Sequence, residues 1–232
     1  MNIQKPTTTG ETFDHVVLPP KVEVTENKYF PTQVFTMQLD EETEKSFNAH
    51  LTEQIYSERE RDAEGIQRSN FRALGGWHSH NNLHKEVAYQ PLVGLIDSVC
   101  ETINDANSYH KATRLKIGTM WSIINPPGSS NRAHIHPGCL WSGVYYVQTP
   151  ENSGNIEFID PRTENLVSQP RYQPNKKRPK SCWSKVNFTP KAGKLIIFPS
   201  WLYHSVAPNL STKKGSAGER IIISYNLNQT KP

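Results

Sequence analysis

A chain of 232 residues is long enough for one large domain with a real core, and no low-complexity linker divides it into two. Lys and Arg total 26 against 22 Asp and Glu, a net charge of +4 that is too mild to imply nucleic-acid binding. Three cysteines, Cys100, Cys139 and Cys182, have no paired spacing, which argues against a disulfide framework or a zinc knuckle and for a reducing compartment.

Residues 1–28 are polar and rich in Thr and Pro, and read as an arm. They lack a basic start followed by an apolar stretch, and nothing downstream reaches membrane-spanning length. A cytoplasmic protein with no membrane partner is therefore expected. The arm's FDHVVLPP is the kind of segment that finds a neighbouring subunit, so a homodimer is one expectation. Residues 29–115 read as a helical support region. YFPTQVFTMQL (Tyr29 to Leu39) suits a strand. DEETEKSFNAHLTEQIYSERERD follows with Phe47, Leu51 and Ile55 at fours and acids at its start, the pattern of an amphipathic helix. SNFRALGGWHSHNNLH breaks the pattern and reads as an irregular loop. A second helix follows, with Leu92, Leu95, Ile96, Val99 and Ile103 on one face and Pro91 in its first turn.

After Asn107 the chain changes character. LKIGTMWSIIN, WSGVYYVQ, GNIEFID, KLIIFP and RIIISYNL are short, rich in β-branched and aromatic residues, and separated by Pro, Gly and Asn. These runs predict a mostly β fold with flanking helices, its core a jelly-roll or cupin-like double-stranded β-helix over residues 116–232. The connection from Thr163 to Lys185 is no strand. It carries Arg171, Lys176, Lys177, Arg178, Lys180 and Lys185 with no acid after Glu164, and is either a solvated flap or a clamp for an acidic substrate.

Chemistry concentrates in RAHIHPGCLW. Alternate residues of a strand share a face, so His134 and His136 are expected to point together. His204 lies just after KLIIFP, where a jelly-roll returns to the earlier strand. Three such ligands occupy one face of an octahedron and leave three positions open, the arrangement of non-heme Fe(II) oxygenases. Arg220 opens the last strand, and a guanidinium gives a permanent, two-pronged grip on a buried carboxylate. Asn125 and Asn131 either hydrogen-bond a co-substrate or form the turn before a strand. The histidines of GGWHSHNNLH suggest either a second metal site or a structural or substrate-facing loop; the looser spacing favours the loop. One of Tyr145 and Tyr146 must face away from the site, Trp141 and Trp201 fit packing roles equally well, and Cys139 reads as a small core residue.

In this order, NRAHIHPGCLWSGVYYV, NSGNIEFIDPR, GKLIIFPSWLYHSV and RIIISYNL resemble the Fe(II)- and 2-oxoglutarate-dependent dioxygenase superfamily, and within it an oxygenase family related to the prolyl-hydroxylase branch. The likeness covers roughly residues 116–228, and SNFRALGGWHS fits the narrower family upstream. The resemblance implies a double-stranded β-helix, Fe(II) as cofactor, 2-oxoglutarate as co-substrate, and release of succinate and CO2. It implies His134 and His204 as ligands. Tyr146 and Arg220 would hold the distal carboxylate of 2-oxoglutarate, with Ser142 or Ser224 near it. The superfamily usually writes H-x-D where this chain has His134 and His136, so His136 stands in the acid's place. In the other registration His136 is the first ligand and Gly138 leaves a position open. Two rival readings remain at this stage. One is a three-histidine iron dioxygenase independent of 2-oxoglutarate, and the other a non-enzymatic, metal-stabilised binding module.

Overall fold

A computed structural model describes residues 24–66, 76–162, 167–168 and 170–230. FDHVVLPP, the SNFRALG stretch and the start of the 163–185 connection lie outside the described residues. Residues 24–31 are exposed and without regular structure, and belong to a unit distinct from 32–232.

The larger unit begins with β1 (Phe35–Gln38), shorter than the expected strand because Phe30 takes a positive φ of 59° and Pro31 has no N–H to donate. Helix α1 (Glu41–Arg61) starts at Asp40, whose carboxylate accepts from the Thr43 N–H at 2.9 Å and the Thr43 hydroxyl at 2.7 Å. Glu41, Glu42 and Glu44 in its first turn and Arg59 and Arg61 in its last suit the helix dipole. Its buried stripe is Asn48, Leu51, Ile55 and Glu58. Strand β2 (Trp77–His78) precedes α2 (Gln90–Ala106), which buries Leu92, Ile96, Cys100 and Ile103, one face at the helical period.

The remaining strands are β3 (Arg114–Asn125), β4 (Asn131–His134), β5 (Trp141–Gln148), β6 (Ile156–Ile159), β7 (Lys185–Phe188), β8 (Lys194–Pro199), β9 (His204–Val206) and β10 (Arg220–Thr230). They form two antiparallel sheets, β1-β8-β5-β10-β3-β2 and β4-β9-β6-β7, the double-stranded β-helix. Strands β1 and β2, drawn from the region expected to be helical support, close the larger sheet at its two edges. No described helix is long and apolar enough to cross a membrane.

Strand alternation divides the larger sheet into two working faces. On β10, Ile221, Ile223 and Tyr225 join Leu51, Ile55 and Ile96 in the core beneath the helices. Ile222 points the other way, into a second cluster with Tyr146, Phe158 and Phe198 between the sheets. Each buried aliphatic contributes about 1.5–3 kcal/mol, so both faces are stabilised and the register cannot slip without inverting them. Gly143 on β5 lets the Tyr225 ring lie against the strand, since a Cβ there would fall 2.3 Å from that ring. The Tyr145 hydroxyl donates to Asn48 Oδ1 at 2.7 Å, fixing α1 to β5.

The cap of α1 makes stability depend on acid. Its bonds to Thr43 lower the Asp40 pKa below 3.8, so the folded state favours the ionised form. The stabilisation is present above that value and is lost as pH falls through the folded pKa. Asp40→Ala should therefore lower the thermal midpoint at pH 7, and the deficit should shrink below about pH 4, as read by circular dichroism melts across pH.

Candidate metal centre and anion pocket

His134 ends β4 and His204 begins β9, directly opposite each other in the pairing of the two strands. Their ring centroids are 4.3 Å apart. His136 completes the group at 5.2 Å from His134 and 5.1 Å from His204, and one ring nitrogen of each histidine lies within 4.8 Å of the other two. The expectation that His134 and His136 share one face of a strand needs correcting in one respect. The strand ends at His134, and a turn at Pro137 and Gly138 follows. The His136 N–H donates to the Ser200 carbonyl at 2.9 Å, and the bend brings its ring round. Convergence comes from a local departure from extended backbone.

Hydrogen bonds fix the tautomers. His134 Nδ1 meets the Arg132 carbonyl at 2.7 Å, His204 Nδ1 the Leu202 carbonyl at 2.9 Å, and His136 Nδ1 the Asn226 Oδ1 at 2.7 Å. Each partner is an acceptor, so each Nδ1 carries the proton and each Nε2 keeps its lone pair. Burial, reinforced by His134, holds His204 down to about 3. Burial also lowers His136, with the bond to Asn226 partly opposing it. Both are neutral at pH 7, the form a metal requires. The arrangement fits a divalent transition metal held by three imidazoles with positions left open.

Asn226 was not singled out in the sequence. Its Oδ1 accepts from His136 and from the Ser142 hydroxyl at 2.8 Å, while its Nδ2 donates to Thr119 Oγ1 at 3.0 Å. Such outer partners set ring orientation and ligand basicity. Ser142, expected near the co-substrate, is thus placed at the metal end and braces Asn226. Counting by twos from Arg220 would have found Asn226, because residues 220, 222, 224 and 226 share one face.

Arg220, Asn125, Tyr146 and Ser224 all lie on that inner face. Arg220 pairs directly with Asn125, and Tyr146 faces Ile222. Arg220 is 0% exposed. Its Nη1 donates to the carbonyls of Ser153 and Ala207. Its Nε and Nη2, and both side-chain atoms of Asn125, are buried without partners. Burial lowers the guanidinium to about 10, still charged at pH 7, and the Tyr146 ring beside it is held neutral by burial. Among the described residues no carboxylate reaches Arg220. Two unpartnered N–H-bearing nitrogens and a permanent charge fit one end of a dicarboxylate.

The other candidates separate cleanly. Tyr145 points to the helices and Trp141 packs in the helix-side core, while Cys139 Sγ donates to the His136 carbonyl. Asn131 lines a cavity with Asn155, Glu157 and Asn187. Trp201 is 52% exposed, three residues before His204 in the chain. In the GGWHSHNNLH segment, the His78 ring stacks on Trp121 at 5.8 Å, and Trp121 stacks on His136 at 6.0 Å, forming one wall of the site. Replacing Asn226 with Leu should weaken Fe(II) binding by about tenfold to a hundredfold while leaving the melting profile of the metal-free protein close to wild type. Competition titration against a chromophoric chelator measures the change.

Residues 119–226 match the family described as "Putative 2OG-Fe(II) oxygenase". No curated protein matches the chain. Among solved structures it is similar to a prolyl-4-hydroxylase from Pseudomonas putida, at 15% identity over 85% of this chain and 92% of that one, with a TM-score of 0.56. It is also similar to the non-heme alpha-ketoglutarate-dependent carbocyclase SnoK from nogalamycin biosynthesis, at 13% identity over 84% and 79% of the two chains, with a TM-score of 0.58. HygX from Streptomyces hygroscopicus, solved with nickel and 2-oxoglutarate bound, is similar at 11% identity over 85% and 83%, with a TM-score of 0.51. At these identities the structures share the fold. The family match spans the segment that carries the three histidines and the buried guanidinium, so the likeness to 2-oxoglutarate-Fe(II) oxygenases falls on the part of the chain that builds the candidate site.

Proposed function

We propose that the chain is an Fe(II)- and 2-oxoglutarate-dependent oxygenase and a hydroxylase of an acidic substrate, that His134, His136 and His204 hold its iron, and that Arg220 with Tyr146 and Asn125 holds the distal carboxylate of 2-oxoglutarate. The observation that carries the reading is Arg220, a fully buried cation with unpartnered N–H groups on the same inner face as the residues around the metal group. When bound, iron and 2-oxoglutarate supply oxidation by dioxygen, with decarboxylation to succinate and CO2 coupled to insertion of oxygen into a substrate C–H bond.

The chain's own side chains do the positioning. Arg220 neutralises the far carboxylate and sets how deeply the co-substrate reaches, while Asn125 offers a donor beside it. The three Nδ1–H bonds keep the imidazole lone pairs turned inward. Ile222, Ile123 and Val144 between the two ends exclude water from the co-substrate's methylene groups.

Charge near the mouth supports an acidic substrate. The connection between β6 and β7 is rooted beside His204: the Ile159 N–H donates to the Tyr203 carbonyl and the Asp160 N–H to the Ser184 carbonyl, each at 2.9 Å. It carries Arg171, Lys176, Lys177, Arg178 and Lys180, all exposed, with no acid between residues 170 and 185. Arg178 also stacks on the Tyr172 ring at 3.9 Å. A cluster of one sign at a cleft raises the local concentration of anions.

Succinate release from 2-oxoglutarate in the presence of Fe(II) and dioxygen tests the reading. Arg220→Leu should raise the KM for 2-oxoglutarate by about a hundredfold, from the loss of a charge-assisted pair, with Fe(II) affinity within a few-fold of wild type. Succinate production indifferent to Arg220 would favour a three-histidine dioxygenase that uses no dicarboxylate.

A further inference from the structure

Glu58 lies near the end of α1 on the stripe that faces the sheet, one turn beyond Ile55. It is 6% exposed, and neither carboxylate oxygen has a hydrogen-bond partner. A carboxylate removed from water without partners is strongly disfavoured. Glu58 points at two further ligand-bearing side chains from the segment after β2, His80 and Glu86. One ligand atom of each of the three lies within 4.8 Å of the others, and His80 Nε2 is 2.9 Å from Glu86 Oε1. The buried hydroxyl of Tyr89 sits beside Glu58. Two acids and an imidazole meet here, and the group is open to water on one side, where the His80 and Glu86 side chains are 46% and 37% exposed. An ion has a way in.

We propose that Glu58, His80 and Glu86 form a second metal site, distinct from the histidine triad, for a divalent ion of the zinc or manganese type. Two hard oxygens and one imidazole select such ions over the softer metals that prefer thiolates. The ion would supply the positive charge that Glu58 lacks. In the metal-free form His80 accepts from the Asn82 N–H at 3.2 Å through Nδ1 and donates to Glu86 through Nε2. Metal capture at Nε2 moves the ring proton to Nδ1 and gives up that long neutral contact, a small loss beside three metal–ligand bonds.

The position gives the ion a structural consequence. It joins the end of α1 to the segment leaving β2, and β2 pairs with Ile123 and Ile124 of β3. His78, two residues before His80, stacks on Trp121, which stacks on His136. A filled site would therefore brace one wall of the catalytic cleft from behind.

The test uses chelator-stripped protein and zinc chloride as the probe, in a His134→Ala/His204→Ala background that disables the triad. One equivalent of Zn2+ retained after desalting, with a raised melting temperature, is expected. Glu86→Gln and His80→Asn, at partly exposed positions, should each weaken retention by at least about tenfold. Should the background variant not fold, the wild type serves instead, with two equivalents expected, falling to one in Glu86→Gln. The proposal is overturned if the background binds no stoichiometric zinc, or if Glu86→Gln and His80→Asn retain it. It is equally overturned if Glu58→Gln raises the metal-free melting temperature and zinc shifts neither protein, which would identify a proton shared by two acids.

Discussion

The guanidinium of Arg220 has no contact with water and, among the described residues, no carboxylate to neutralise it. Such a charge is tolerated only where the surrounding fold fixes it and a partner can arrive. Two carbonyls, from Ser153 and Ala207, take one of its nitrogens and leave the two others buried without a partner. Both carbonyls belong to connections between strands, while Arg220 itself opens β10 at the centre of the larger sheet. The pocket is thus assembled from segments far apart in sequence and depends on the closure of the whole β-helix. The helices matter to the chemistry because they bury the opposite face of β10 and keep its register.

That register sets the spacing of the site. With side chains alternating, Arg220, Ile222, Ser224 and Asn226 form one row along β10. The row begins at the anion pocket and ends at the amide that holds His136. Tyr146 on β5 and Asn125 on β3 stand on the strands either side of β10 near Arg220. A one-residue slip of β10 would send Arg220 into the helix-side core and Ile221 into the pocket, an exchange that the hydrophobic term alone forbids.

Much of this was legible in the sequence. The five runs of β-branched and aromatic residues marked the long strands, and the single cation opening the last run identified Arg220. Alternation showed that only one of Tyr145 and Tyr146 could reach the cleft, and the structure selects Tyr146. The missed strands, β2, β7 and β9, have two to four residues each. They exist because a neighbour supplies the ladder, so local composition says little about them. His136 escaped the strand rule because its orientation depends on a turn and on the Ser200 carbonyl, contributed by the connection after β8. Glu58 escaped because an acid in a helix rich in Glu and Arg reads as solvated surface. Only the packing of α1 against the sheet shows that this one is buried.

In the proposed assignment His136 stands where the superfamily usually has an acidic ligand, and this changes the charge of the site. Three neutral imidazoles leave a divalent ion with its full charge, one unit more than two imidazoles and a carboxylate would. The chain does not restore that unit nearby, because the group behind His136 is the neutral amide of Asn226, itself held by Ser142 and Thr119. Both ends of the cleft are therefore short of negative charge: the metal end by one carboxylate, the Arg220 end by its missing partner. A dianion that spans the two satisfies both at once, whereas a neutral chelator satisfies neither. On the proposed assignment, the departure from the superfamily's usual pattern makes a dicarboxylate such as 2-oxoglutarate the ligand that best complements the charge of both ends.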